Sequence, residues 1–296
     1  MIELRPCESD ADLEAWRSVR ISVIPYERTE SVEELRRSLS AERLMLLAYR
    51  DGKLAGSGVA GRGDTASGFA IPRVLPEQRR RGVGTALLHS LAEHVQGLGF
   101  PDLGVGVDDE GSLAFAHRFV FEEVGRQVEQ VRAVAADEPL PAVPDGITVI
   151  NLAERPELLG RLYDELALEA FEDMPTPRKV EITPEQWESE WITWPEATFV
   201  ALAGDEVVGM AGLLRDVDRP ERAENALTTI RRDFRSRGIA RTLKETTIAW
   251  ASERGLREIY TWTQTGNENM RAVNERLGYV TRTTSVSLRR PLPLPA

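Results

Sequence analysis

The sequence is poor in several features that would each mark a class of protein. Its 296 residues hold one cysteine, Cys7, and three histidines, at positions 89, 94 and 117. A single cysteine excludes an internal disulfide framework and fits a reducing cytoplasm, the expected location. The histidine spacing matches no metal motif, so no metal site is expected. No run of about 18 apolar residues occurs, and no membrane span is expected. The opening Met1-Ile2-Glu3-Leu4-Arg5-Pro6 lacks the pattern of a secretory leader. Positive charge is also in deficit, with 37 Lys and Arg against 48 Asp and Glu, a net charge of −11. That balance argues against a general nucleic-acid surface. The length favours two domains, and a hydrophobic fraction of 42% is enough for two cores.

What the chain does have is one pattern written twice. Val74-Leu75-Pro76-Glu77-Gln78-Arg79-Arg80-Arg81-Gly82-Val83-Gly84-Thr85-Ala86-Leu87 is matched by Ile230-Arg231-Arg232-Asp233-Phe234-Arg235-Ser236-Arg237-Gly238-Ile239-Ala240-Arg241-Thr242-Leu243. Both reduce to an apolar residue, four further residues, then Arg-x-x-Gly-apolar-small-x-x-Leu. Glycine lets the backbone turn sharply and approach a ligand closely. Successive N–H groups then face one point as an anion nest, and a helix starting there adds its unpaired N–H groups and dipole. Helical spacing follows in both copies: Val83, Leu87, Leu88, Leu91, Ala92, Val95 and Leu98 in one, Ile239, Leu243, Thr247, Trp250 and Ala251 in the other. Ala240 replaces the second glycine at a position already helical. The pattern is neither the strand–GxGxxG dinucleotide motif nor the P-loop.

The flanks repeat as well. In the first half a strand at 2–5 precedes helices from Asp10 to Ile24 and Val32 to Leu39, with Ser31 and Glu34 in capping-box spacing. A hairpin turns at Asp51-Gly52 between Leu44–Tyr49 and Leu54–Val59. Phe69 to Val74 reads as a strand despite Pro72, which implies an edge or a distorted ladder. Leu103 to Val107 is a strand and Ser112 to Phe119 a helix. The second half runs strand Ile147–Ile150, helices Pro156–Ala170 and Pro184–Ile192, hairpin Thr198–Leu214 turning at Gly204-Asp205, strand Leu227–Ile230, strand Glu258–Gln264 and helix Asn269–Leu277. Between them Pro139, Pro141, Pro144 and Asp145-Gly146 read as a linker. The expected domains are 1–136 and 147–296, joined by 137–146, each of mixed α/β class.

This order of elements resembles the GNAT acetyltransferase fold, and the whole chain resembles a tandem GNAT protein of the broad group that includes mycothiol synthase. The stretch Val74 to Leu87 carries the resemblance, as do Thr261-Trp262-Thr263-Gln264, Asn267-Glu268-Asn269-Met270 and Val273-Asn274-Glu275-Arg276-Leu277-Gly278-Tyr279. Ser112 to Phe121 holds the last position in the first half, with Val120 where the second has Gly278. The resemblance implies two α/β domains, each a mixed, mostly antiparallel sheet flanked by helices, and acetyl-CoA as the cofactor. By position, the amides of Arg79, Arg80, Arg81, Gly82, Val83, Gly84 and Thr85 would hold its pyrophosphate in the first half. Those of Arg235, Ser236, Arg237, Gly238, Ile239, Ala240 and Arg241 would do so in the second. Val74 and Ile230 would pair with the pantetheine arm, and Asn269 and Asn274 would lie near the thiol.

The implied reaction is acyl transfer from a thioester to an amine. An alkyl amine, with a pKa near ~10.4, must lose a proton before it attacks. Glu224, just before the strand feeding the second loop, stands where a general base is expected. Many GNAT proteins place a tyrosine on the last helix to protonate the thiolate. Here that position reads Ala116 and Asn274, and Tyr260 is a weaker candidate. Glu172 and Asp173, within Phe171 to Pro175, are candidates for binding a cationic acceptor. Trp187, Trp191 and Trp194 fit core packing better than an acceptor wall. In the first half Tyr26 and Glu27 fill the analogous loop, but Gly68 to Val74 offers no acid. The expectation is a catalytic second half, with a first half that binds CoA without turnover or serves as scaffold. The expected partner is a small-molecule or peptide amine, with no nucleic acid and no membrane, for a monomer or homodimer. A degenerate acyl-CoA-binding module and a protein lysine acetyltransferase remain as alternatives.

Overall fold

The computed structural model describes residues 1–26, 28–63, 67–174 and 179–295. Glu27 and Pro175, both named above, lie outside them. Two compact units emerge: Met1–Arg126 with Ser285–Ala296, and Gln127–Thr284.

In the first unit β1 (Ile2–Pro6), β2 (Leu44–Arg50), β3 (Lys53–Arg62) and β4 (Gly68–Val74) form an antiparallel run. The hairpin between β2 and β3 turns on Asp51 and Gly52, both at positive φ (50° and 77°), which matches the right-handed twist of its strands. β4 then pairs in parallel with β5 (Asp102–Val107), through Gly68↔Leu103 and Phe69↔Gly104. Helices α1 (Asp10–Val23) and α2 (Val32–Ser38) cover one face, around Trp16, Leu35, Leu47 and Val59. Helices α3 (Val83–Gly97) and α4 (Glu110–Arg118) cover the other, around Leu46, Leu87, Leu91 and Phe121.

β6 (Glu122–Ala133) ends the first half of the sequence, yet from Gln127 onward it belongs to the second unit. There it pairs antiparallel with β11 (Glu258–Gln264), from Gln127↔Gln264 to Ala133↔Glu258. The rest of that sheet repeats the first: β7 (Thr148–Asn151), β8 (Thr198–Ala203), β9 (Glu206–Arg215) and β10 (Arg222–Ile230) are antiparallel, and β10 runs parallel to β11. One face is covered by α5 (Leu159–Leu162), α6 (Leu168–Asp173) and the short α7 (Pro184–Gln186). The opposite face carries α8 (Ile239–Glu253) and α9 (Glu268–Arg276). The expected single helix over Pro156–Ala170 is instead α5 and α6 joined by a wider π turn at Tyr163–Ala167. β12 (Val280–Pro291) returns to the first unit, where Val286 to Pro291 pair with β5.

The units therefore differ from the expected division at 137–146. Each sheet is completed by a strand from the other half of the chain. The proline-rich stretch is held on α8: Glu138 N donates to Ser252 Oγ at 3.3 Å, and Thr242 Oγ1 donates to Ala142 O at 3.3 Å.

Candidate active site

The two loops have the same backbone path. Arg79 and Arg235 are extended, at φ −62° and −64°. Arg80 and Ser236 are left-handed, at φ 61° and 62°. Gly82 and Gly238 follow at φ 84° and 82°, each capping the helix that starts next. A side chain at that glycine would be strained, which is why glycine stands there. The motif arginine closes each loop from within: Arg79 Nε donates to Val74 O at 3.3 Å, and Arg235 Nε to Ile230 O at 2.9 Å. Neither α3 nor α8 has a side-chain cap, whereas Ser9, Asp109 and Asn267 cap α1, α4 and α9. The first N–H groups of a helix have no partner within it. Two helix starts without a side-chain cap thus leave N–H donors of the kind an anion such as a pyrophosphate can accept from.

The strand leading to each loop parts from its parallel neighbour. In the second unit pairing covers Arg222↔Glu258, Ala223↔Ile259 and Glu224↔Tyr260, and then stops. Beyond it β10 is bulged: its register against β9 jumps from Asn225↔Leu213 to Thr228↔Ala211. Ala226 and Leu227 thus share one place on the ladder, which re-aims their backbone groups. β4 runs in register from Gly68 to Val74 without a bulge, and Pro72 within it has no N–H to offer.

Glu224 lies on the last paired rung. It is partly buried, and the Tyr260 hydroxyl donates to its Oε2 at 3.3 Å. Arg222 stacks 4.5 Å from the centroid of the Tyr260 ring and pairs with Glu258 at 2.7 Å. Arg282 pairs with Glu258 at 3.1 Å and donates to the buried Glu129. The register puts Phe69 and Gly104 at the places of Glu224 and Tyr260 in the first unit.

The sequence matches the Acetyltransferase (GNAT) family over residues 12–121 and 161–279. The chain belongs to the GNAT family. Over 224 residues it is 28% identical to a mycothiol acetyltransferase of Catenulispora acidiphila, covering 72% of this chain and 69% of that protein. An N-alpha-acetyltransferase 30 of Schizosaccharomyces pombe is 35% identical over 88 residues, 29% of this chain and 59% of the relative. Among solved structures, a tandem GNAT protein from the clavulanic acid biosynthesis pathway aligns over 100% of both chains, with a TM-score of 0.78 at 17% identity. A GNAT protein of Sphaerobacter thermophilus aligns over 98% of this chain and 95% of its own, with a TM-score of 0.72 at 21% identity. At such identities the likeness of structure speaks for the fold alone. Two GNAT domains, each a mixed and mostly antiparallel sheet flanked by helices, make up the chain.

Within this GNAT frame the residues singled out from the sequence fall into different places. Arg79, Arg80, Arg81, Gly82, Val83, Gly84 and Thr85 form the first loop and helix start, and Arg235 to Arg241 the second. Val74 and Ile230 end the strands that feed them. Glu172 and Asp173, expected to bind a cationic acceptor, are ion-paired within the chain. Arg232 pairs with Glu172 at 3.2 Å and with Asp173 at 2.6 Å, and Asp173 also pairs with Arg235 at 2.5 Å. Both carboxylates at the end of α6 are drawn to the arginines of the second loop, and hydrogen bonds from these arginines hold the Asp173 carboxyl below its usual range. The two loops consequently differ in charge: Arg80 and Arg81 make no ion pair or hydrogen bond among the described residues.

Asn274 is fully buried on α9, donating to Gln130 Oε1 at 3.0 Å and Thr263 Oγ1 at 3.4 Å. Asn269 is exposed on the first turn of the same helix. Trp187 is a core residue stacked on Trp191, and Trp194 packs edge-on against Trp250. Burial pushes the Cys7 thiol up to about 12, far from a nucleophilic thiolate. Among the described residues no helix is long and apolar enough to cross a membrane.

A buried polar cluster beside the bulge went unnoticed in the sequence. Lys244 Nζ donates to Asn225 Oδ1 at 2.6 Å, and Asn225 Nδ2 donates to the Tyr279 hydroxyl at 3.1 Å. Comparing the two copies supplies the signal that could have found it: Lys244 replaces Leu88, and Tyr279 replaces Phe121.

Proposed function

We propose that this protein is an acetyl-CoA-dependent N-acetyltransferase whose second half performs the transfer to the primary amine of a small molecule or peptide. The observation that carries the reading is the convergence at one point of the second unit. A loop of open N–H groups, a strand that parts from its neighbour, a bulge and a carboxylate meet at Glu224 and Asn225. The first unit repeats the loop and the parting of its parallel strands, but has Phe69 in place of the carboxylate and no bulge on β4.

The residues fit the cofactor. The amides of Arg235 to Arg241 and the uncapped start of α8 would receive the pyrophosphate, and the edge of β10 near Ile230 the pantetheine arm. Acetyl-CoA, when bound, supplies an acyl group activated as a thioester. Glu224 takes the proton that the acceptor amine must lose, a role a partly buried carboxylate can fill. Tyr260 orients Glu224 through its hydroxyl. The freed backbone groups at Ala226 and Leu227 offer donors for charge developing on the acyl oxygen. Arg80 and Arg81 give the first loop cationic side chains for phosphate, so the first half is read as a CoA-binding domain without turnover.

A small-molecule acceptor is favoured over a peptide, because the match to the mycothiol acetyltransferase runs over 224 residues and that to the N-alpha-acetyltransferase over 88. The alternative of a degenerate CoA-binding pair draws on Asn274, which is no proton source. Incubation with acetyl-CoA and an amine panel, read by release of free thiol, separates the two. Amine-dependent release supports the enzyme; CoA binding with no release from any amine supports the binding module.

A further inference from the structure

α8 buries a lysine where α3 buries a leucine. Counted from the loop glycines, Lys244 and Leu88 hold the same place, and both are almost free of solvent, at 1% and 2% exposure. A buried ammonium is costly unless it is paired. Here no carboxylate pairs with it among the described residues: Nζ donates to Asn225 Oδ1 and stands 5.3 Å from the centroid of the Tyr279 ring. Asn225 Nδ2 also reaches the Tyr260 carbonyl, at 3.5 Å. By register the counterparts in the first unit are Leu88, Ala70 and Phe121, all members of its apolar core. The second unit thus has three core positions exchanged together for polar residues.

The cluster lies where the reading above, on which this inference rests, brings the thioester. With Ala226 and Leu227 on one rung, β10 covers four ladder steps from Ile230 at the loop to Asn225, about 13 Å. An extended pantetheine arm, with its two amides, reaches a similar distance, roughly 15 Å. A pyrophosphate on the loop and an arm along β10 therefore put the sulfur beside Asn225.

We propose that Lys244 is the proton donor of the second site, its ammonium held by Asn225 and delivering a proton to the sulfur as the thioester opens. The acceptor nitrogen forms the new C–N bond, and the C–S bond breaks with its electron pair going to sulfur. Sulfur takes a proton from Nζ, leaving a neutral amine. The proton lost by the acceptor goes to Glu224 and on to water, and Lys244 regains one from water. Burial lowers the Lys244 ammonium to about 7, which matches an acid working at neutral pH. The groups facing it are Asn225 from β10 and Tyr279, the residue before β12. Burial drives the Tyr279 phenol upward, making it the weaker acid. Asn274 is turned to Gln130 and Thr263.

The test reads the thiol of bound CoA without any acceptor. CoA is added to the full chain carrying Gly82→Val throughout, so that the second loop alone takes it, and its thiolate absorbance is titrated against pH, with desulfo-CoA as the blank. A cation beside the sulfur lowers the thiol pKa by about one unit or more. The expected result is such a lowering in Lys244→Arg, whose cation is permanent, a smaller one with lysine at 244, which itself loses its proton at about 7, and none in Lys244→Met, with desulfo-CoA binding unchanged in each. A bound thiol that titrates like free CoA in Lys244→Arg overturns the proposal and leaves the acetyltransferase reading standing. A chain that binds neither CoA nor desulfo-CoA overturns that reading, and the proposal with it. Should Lys244→Arg fail to fold, a kcat in Lys244→Met equal to that with lysine at 244 overturns the proposal in its place.

Discussion

Tyr260 and Glu224 face each other on the last parallel rung between β10 and β11, with the phenol donating to the carboxylate at 3.3 Å. Parallel pairing ends at this rung, so the sheet holds the pair at the point where β10 leaves β11. Removing the hydroxyl removes its hydrogen bond to Glu224. Tyr260→Phe is expected to lower kcat about two- to tenfold with the KM for acetyl-CoA unchanged, as steady-state kinetics will show.

The glycines of the two loops are predicted to differ in tolerance. Gly238 has φ 82°, and nothing lies within 4 Å of an added Cβ, so its constraint is conformational. Gly238→Ala should cost about 1–2 kcal/mol in strain and shift the start of α8, weakening CoA binding at the second site. Gly84 lies inside α3, and an added Cβ would meet Val74 Cγ2 at 3.4 Å and Phe115 Cζ at 3.5 Å, ordinary contacts. Gly84→Ala should preserve binding and raise stability by up to about 1 kcal/mol. Calorimetric titration with CoA and thermal melting check both.

Val120 is a β-branched residue at φ 59°, where the second copy has Gly278 at φ 83°. The left-handed region is strained for such a side chain. Because Val120 is 60% exposed, its replacement forfeits little packing. Val120→Gly is expected to stabilise the protein by about 1 kcal/mol, less the entropy glycine adds to the unfolded chain. Denaturant unfolding measures the difference.

The loops and the first hairpin were legible because their signals are local. Asp51-Gly52 and Arg79-Arg80-Arg81-Gly82 carry their turn chemistry within a few residues. β6 and β12 were not foreseen: their sequences are polar, and their partners stand more than a hundred residues away. The bulge at Ala226 and Leu227 was hidden for a related reason, since it is a mismatch between two strands and no residue type announces it. Glu172 and Asp173 looked available because a sequence does not show that Arg232 and Arg235 fold back onto them. Lys244 was passed over because a lysine on a helix is normally solvated.

The exchange of strands also makes a prediction. A fragment of residues 1–136 lacks Val286 to Pro291, which cover the edge of β5, and carries a β6 parted from β11. An open edge invites aggregation. The fragment is expected to be poorly soluble. Residues 1–126 joined through a flexible linker to 285–295 should give a cooperative unfolding transition, observable by circular dichroism.

The most direct test of the central claim compares Glu224→Gln with a disrupted first loop, Gly82→Val, in acetyl transfer to an amine that the wild type accepts. If Glu224 is the base of the one active half, Glu224→Gln loses about a hundredfold or more in kcat while still binding CoA, and Gly82→Val retains turnover. Wild-type turnover in Glu224→Gln, with loss in Gly82→Val, would contradict the account and move the chemistry to the first half.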